Sequence, residues 1–137
     1  MNITIEQINA MNRNTVMEVL GIEYTALGDG FIHGKMPVDS RHHQPMGILH
    51  GGVTAVLAET LGSVGSHLIA QTEGKAAVGL EISVNHLKSM SSGTLFGYAK
   101  IIHQGKRSHL WQIDLKNESD QMIAIAKLSV MIIDKKG

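Results

Sequence analysis

The sequence predicts an α+β domain in which one antiparallel sheet wraps against a long central helix, and three observations carry that expectation. Residues 52 to 70 repeat apolar side chains at helical spacing with one carboxylate, Glu59, among them. After "TEGK" the chain changes period: "AAVGLEISVNHLKS", "GTLFGYAKIIHQG", "SHLWQIDLKNE" and "QMIAIAKLSVMIID" alternate apolar and polar positions, separated by "MSSG", "GKR" and "SD". A hydrophobic content of 43% in 137 residues suffices for one core but not for two independent ones, so residues 1–137 read as a single domain.

Taken in order, residues 5 to 20, "IEQINAMNRNTVMEVL", place Ile5, Ile8, Met11, Val16, Val19 and Leu20 at helical spacing and predict one amphipathic helix, stopped by Gly21. "IEYTAL", "GDG" and "FIHGKMPV" then read as a hairpin. "DSRHHQPMGILHGG" is a loop by its proline and glycine content, and the central helix follows it. Four successive antiparallel strands are the simplest reading of the rest. Strands this long leave exposed edges and an uncovered face, so an oligomer is expected.

Composition narrows the function. Twelve basic and 12 acidic residues give a formal charge of +0, which offers no field for nucleic acid or an acidic membrane surface. The absence of cysteine excludes disulfides, thiolate metal sites and a cysteine nucleophile. Residues 51 to 72 are apolar enough to suggest a membrane span, but Glu59, His67 and several Gly, Ser and Thr would be penalised in hydrocarbon. The opening "MNITIEQINAMNRN" lacks the basic flank and apolar run of a secretory signal, so the cytoplasm is the expected compartment.

At 100° per residue, Val53, Val56, Leu57, Thr60, Leu61, Val64 and Leu68 share one arc of the central helix. Gly51, Ala55, Ala58, Gly62, Gly65 and Ser66 share the opposite arc, where small residues let another backbone approach closely, so both sides are expected to be covered. Glu59 and Ser63 lie on the seam, one turn apart. This places the acid at a packed boundary, where an ionised, unpaired carboxylate costs several kcal/mol, on the order of a lost charge solvation. Either it is a structural acid capped by Ser63, Thr60 or a histidine, or it is held for a reaction.

The rest of the stretch bears on that choice. The helix starts at "HGG", where first-turn amides lack intrahelical partners and the helix dipole is positive, so the Gly51 amide suits an oxyanion or a polarised carbonyl. Gln44 offers a side-chain N–H to the same oxygen, and His50 can orient the loop or donate. Seen alone, "HGG" is also a plain helix entrance and Gln44 a plain loop residue. Gly51 and Glu59 are separated by ~12 Å along one helix, too far for one carbonyl to meet both. Two helices packed antiparallel about a two-fold axis would bring the amide end of one to Glu59 of the other, giving a shared site.

"QPMGILHGGVTAVLAETLGS" together with "AVGLEISVNHLKS" resembles the hotdog-fold acyl-CoA thioesterases of the phenylacetate-pathway, enterobactin-proofreading and menaquinone-pathway branch, over nearly the whole chain. The resemblance implies a hotdog fold and hydrolysis of an acyl-CoA thioester, with an aromatic acyl group. It implies Glu59 as nucleophile or general base, the Gly51 amide polarising the carbonyl with Gln44 and His50, and Ser63 positioning the water or the acid. His86 would lie by the substrate and pantetheine passage, and Lys88, Lys106 and Arg107 would meet coenzyme A phosphates. Val78, Gly79 and Leu80, with Met46 and Ile48, would shape the substrate pocket. The family needs no metal and no cofactor beyond the coenzyme A of the substrate, and it forms dimers that pair into tetramers.

Other residues have ordinary explanations. Adjacent His42 and His43 point to different sides, and no acid completes a metal set. His33, His67, His103 and His109 read as surface or satisfied partly buried groups, and Trp111 and the methionines as packing. Two other functions stay open: a hotdog acyl-thioester dehydratase or hydratase, since fold does not dictate reaction, and a non-catalytic acyl-CoA-binding oligomer.

Overall fold

The structure, a computed structural model, describes residues 2–135. Its elements are α1 (Ile5–Ala10), α2 (Val16–Leu20), β1 (Glu23–Gly28), β2 (Phe31–Val38), a 3₁₀ turn (Ser40–His42), α3 (Gly51–Thr72), β3 (Lys75–His86), β4 (Gly93–Gln104), β5 (Ser108–Lys116) and β6 (Met122–Asp134). All strand pairs are antiparallel, in the order β1-β2-β4-β5-β6-β3, and α3 packs across one face of the sheet.

The N-terminal segment is two short helices, not one. Thr4 and Gln7 form a reciprocal capping box that starts α1. The helix cannot continue through "MNRN" because Asn14 adopts a left-handed φ of 61°, and α2 starts after an extended Thr15 whose hydroxyl donates back to Asn12 O at 2.6 Å. The asparagines explain the break. Asn12 Nδ2 donates to Ile22 O at 3.0 Å, and Asn12 Oδ1 accepts the Tyr24 hydroxyl at 3.1 Å. Burial pushes the Tyr24 phenol up to about 12, with the Asn12 hydrogen bond opposing it.

The four long runs are all strands, but they are not four neighbours. β4, β5 and β6 form a meander, whereas β3 pairs with β6 and β2 takes the place beside β4. Alternation marks a strand without naming its partner. Three strand spacings, ~14 Å, separate β3 from β4, and the six residues 87–92 can span that distance at ~3.3 Å each.

The concave face of the sheet holds α3. Leu57 and Leu61 are fully buried, and Gly34 and Gly97 leave room for Leu61: a Cβ at either would lie 2.8 or 2.5 Å from its methyl groups. The small-residue arc is covered, but by side chains of the sheet and not by the close backbone that its small residues suggested. A Cβ at Gly62 would come within 2.6 Å of Leu128, and one at Gly65 within 2.5 Å of Trp111. Below them Trp111 Nε1–H donates to Ser66 Oγ at 2.7 Å, and Ser66 Oγ lies 2.8 Å from His109 Nδ1. Since Oγ accepts from the indole, its own proton goes to His109. α3 is long and apolar enough to cross a membrane by composition alone, but here it is the core helix, with 56% of the relevant window buried.

Candidate active site

Two clusters of the expected site residues form on the chain. The first lies at the mouth of α3. His50 caps the helix: its Nδ1 accepts the Gly52 N–H at 2.8 Å, and its carbonyl accepts from Val53 at 3.0 Å and Thr54 at 3.2 Å. Those three amides of the first turn are engaged, while the Gly51 N–H meets no acceptor among the described residues. His86 arrives from the end of β3 and lies over Gly51, where a Cβ would come within 2.8 Å of its Nε2. A glycine is therefore required for this contact. A cleft of about 330 Å³ opens here, lined by Leu49, Gly51, Thr54, His86, Lys88 and Met90 among others.

The loop before the helix is held in shape by its own backbone. Gln44 N–H donates to Ile48 O at 2.9 Å, Gly47 N–H donates to Gln44 O at 2.9 Å, and Gly47 takes a φ of 76°. The Gln44 side-chain oxygen accepts from the Met46 N–H. That bond spends the acceptor and leaves the Nε2 donors uncommitted. Leu49 N–H donates to Met90 O at 2.7 Å, which ties this loop to the connector after β3.

The second cluster is midway along α3. Glu59 and Ser63 both lie over Gly79 of β3: a Cβ there would be 3.0 Å from Glu59 Oε2 and 3.9 Å from Ser63 Oγ. The expectation of a packed boundary around the acid is corrected here, because Glu59 is exposed in the single chain. The physical reason is topological. β3 is the last strand of the sheet, so nothing among the described residues lies beyond it to cover the acid.

The structure separates some residues that the sequence grouped. Lys106 and Arg107 are not beside His86 and Lys88. They rim a different basin of about 660 Å³, floored by Leu80, Met131 and Ile133 near the start of β3 and the end of β6. Ile132 N–H donates to Arg107 O at 2.8 Å and anchors that turn. Val78 and Leu80 are exposed, as is Met46 at the tip of its loop.

His42 is wholly buried: its Nε2 donates to Leu20 O at 2.7 Å, and the Asp39 N–H donates to its Nδ1 at 3.1 Å. His43 Nε2 donates to Ser91 O at 2.7 Å. Both therefore serve the fold. His109 is buried too, and desolvation holds its pKa below the ordinary histidine value, opposed by Glu73 and reinforced by His103. Thr54 lines the cleft and was not singled out from the sequence. The available signal was its place three residues after Gly51, on the same helix face.

A long helix wrapped by an antiparallel sheet, with a free helix-mouth amide and an acid at the sheet edge, defines a hotdog-fold hydrolase of the thioesterase type. The chain belongs to the Thioesterase superfamily, whose family model matches residues 46–124. It is 42% identical over 132 residues to the proofreading thioesterase EntH of Cronobacter turicensis, covering 96% of each chain. It is 40% identical over 131 residues to the 1,4-dihydroxy-2-naphthoyl-CoA hydrolase of Escherichia coli, again covering 96% of each. Among solved structures, a mutant of thioesterase PA1618 from Pseudomonas aeruginosa superposes with a TM-score of 0.93 at 40% identity, covering 97% of this chain and 96% of that one. This protein is a thioesterase of the hotdog superfamily.

Proposed function

We propose that this thioesterase hydrolyses an aromatic acyl-CoA to the free acid and coenzyme A in a site shared by two subunits, as a cytoplasmic enzyme with no cofactor of its own. The observation that carries the reading is the division of the site: the free Gly51 amide and the exposed Glu59 stand ~12 Å apart on one helix. β3 supports the way they meet. It is an unpaired edge of 12 residues, and such an edge is a template for a second copy.

Contacts within one chain support a particular register. Gly79 lies under Glu59 and His86 lies against Gly51, and the bulge between Gly79 and Glu81 keeps both on the helix side of β3. Antiparallel pairing of two β3 strands about a two-fold axis at Ser83 sets His86 of the partner subunit opposite the Gly79–Leu80 step. The partner's Gly51 mouth then faces Glu59. The same operation carries the partner's Lys88 toward the Lys106 and Arg107 basin, which suits the phosphates of coenzyme A.

In this site the thioester oxygen accepts from the partner's Gly51 N–H and from the partner's Gln44 Nε2, while the partner's His50 holds that mouth in place. Glu59 either attacks the carbonyl carbon or takes the proton of an attacking water that Ser63 positions. Both courses pass through a tetrahedral oxyanion and expel the coenzyme A thiolate, which takes up a proton; in the first, water then cleaves the anhydride joining the acyl group to Glu59, so that either way R–CO–S–CoA and water yield R–COOH and CoA–SH. The apolar wall of Leu49, Met90 and Ile123 and the named activity of the E. coli relative favour the aromatic acyl group. Dimers would pair into tetramers through the outer face of the sheet, where Phe31, His33 and Tyr98 surround a trough of about 420 Å³.

The test is thiol release from a panel of aryl- and alkyl-CoA esters by the parent protein and by Glu59→Gln. The variant is expected to lose at least ~10²-fold in kcat with its fold unchanged. Ordinary turnover by Glu59→Gln would end this reading.

A further inference from the structure

The mouth of α3 holds one polar group that no role above employs. Thr54 is 1% exposed and sits in the lining of the cleft with Gly51 and His86. Among the described residues its hydroxyl has no hydrogen-bond partner, whereas every fully enclosed polar side-chain atom has one. The hydroxyl is therefore the part of Thr54 that opens on the cleft. A hydroxyl that opens on the cleft without a protein partner has a hydrogen bond to give to a ligand.

Its direction is set by the helix. Side chains lean toward the N-terminus, so a residue covers the turn before its own Cα. For Thr54 that turn is the one containing Gly51, which has no side chain to intervene. The Thr54 hydroxyl and the Gly51 N–H thus border the same spot. The Gly52, Val53 and Thr54 amides are already occupied by His50, which leaves these two as the open donors of the first turn.

We propose that the Thr54 hydroxyl is a further donor to the reacting oxygen of the thioester, engaged as that oxygen becomes an oxyanion. The argument rests on the hydrolytic reading of the preceding subsection. A carbonyl oxygen has two lone pairs, which the Gly51 N–H and Gln44 Nε2 fill in that reading. The tetrahedral oxyanion has a third. A donor that meets the third lone pair binds the transition state and not the ground state, so it acts on kcat and leaves KM alone.

Thr54→Val keeps the shape and removes the hydroxyl, and Thr54→Ser keeps the hydroxyl. Both are assayed by thiol release with benzoyl-CoA and hexanoyl-CoA alongside the parent protein, and their thermal midpoints are measured. Thr54→Val is expected to lower kcat by ~10- to 100-fold on both esters with KM within about twofold. Thr54→Ser should stay within about threefold of the parent. Unchanged kcat in Thr54→Val overturns the proposal, and so does a loss confined to KM or to one ester, which marks an acyl contact. A fall shared by Val and Ser with a lowered midpoint marks a structural role and also overturns it. A parent protein inert toward every ester would sink the hydrolytic reading itself, a result distinct from all of these.

Discussion

The two edges of the sheet are built in opposite ways. β1 has six residues and a register break between Tyr24 and Ala26, and α1 packs against it. Asn9 closes its edge directly: the Tyr24 N–H donates to Asn9 Oδ1 at 2.7 Å, and Asn9 Nδ2 donates to Tyr24 O at 3.0 Å. One amide side chain thus stands in for a neighbouring strand. β3 has 12 residues, and from Val78 to His86 only Ile82 and Val84 are even partly covered. No comparable device closes it among the described residues. The difference teaches where the chain expects company: it seals one edge by itself and leaves open the edge that carries Gly79 and His86.

Breaking the open edge has the largest expected effect. In the proposed dimer Ser83 lies on the two-fold axis, so Ser83→Asp sets two like charges opposite each other. The outcome expected in sedimentation is dissociation, with thiol release reduced at least ~100-fold because each half-site loses its complement. An intact, active oligomer would refute the register.

Opening the closed edge tests the contrast from the other side. Asn9→Ala strips both partners from the Tyr24 backbone at once, and a loss of about 2 kcal/mol in urea unfolding is expected. Activity per folded molecule should stay near that of the parent, since β1 is remote from Glu59. A milder perturbation sits at the open edge itself. Gly79→Ala places a methyl 3.0 Å from Glu59 Oε2 and should displace the carboxylate. A fall of roughly tenfold in kcat with an unchanged thermal midpoint is expected.

The smallest effect involves neither edge. His109 is buried on β5, and its folded pKa is held below the ordinary value of 6.5. The native state therefore binds fewer protons than the unfolded chain in acid. The contribution of His109 to stability is complete above the unfolded pKa and is lost as pH falls through the lower folded value. Protonation would also force Nδ1 to donate to Ser66 Oγ, which now donates to it. Urea titrations between pH 7.5 and 5 should show this decline, and His109→Gln should flatten it. An identical slope in the variant would assign the pH dependence elsewhere.

Much of the architecture was legible because the periods differ so clearly. A long central helix and four long alternating runs follow from hydrophobic spacing alone, the helix expected over residues 52–70 running from Gly51 to Thr72, and the Asp29–Gly30 turn is where Gly30 takes its φ of 75°. The break in residues 5–20 was not legible, since it depends on Asn12 and Asn9 reaching Ile22 and Tyr24 across the chain. Strand order was hidden for a similar reason: alternation is a property of one strand, and pairing a property of two. In the site, "HGG" and the Glu59–Ser63 spacing singled out residues that the fold gathers into two clusters on α3, whereas the enclosure expected around Glu59 depended on what lies beyond β3.

By itself the sequence determined the class of elements, the helix mouth at Gly51 and the placing of Glu59 and Ser63 one turn apart on one side of the helix, because these depend on spacing within one helix or strand. Only the tertiary structure decided that Gly79 lies beneath the acid, that His86 covers Gly51, and that Lys106 and Arg107 belong to another basin. Those are contacts between segments distant in the chain. They are set by which strand becomes the edge, and that outcome rests on the packing of the whole sheet around α3.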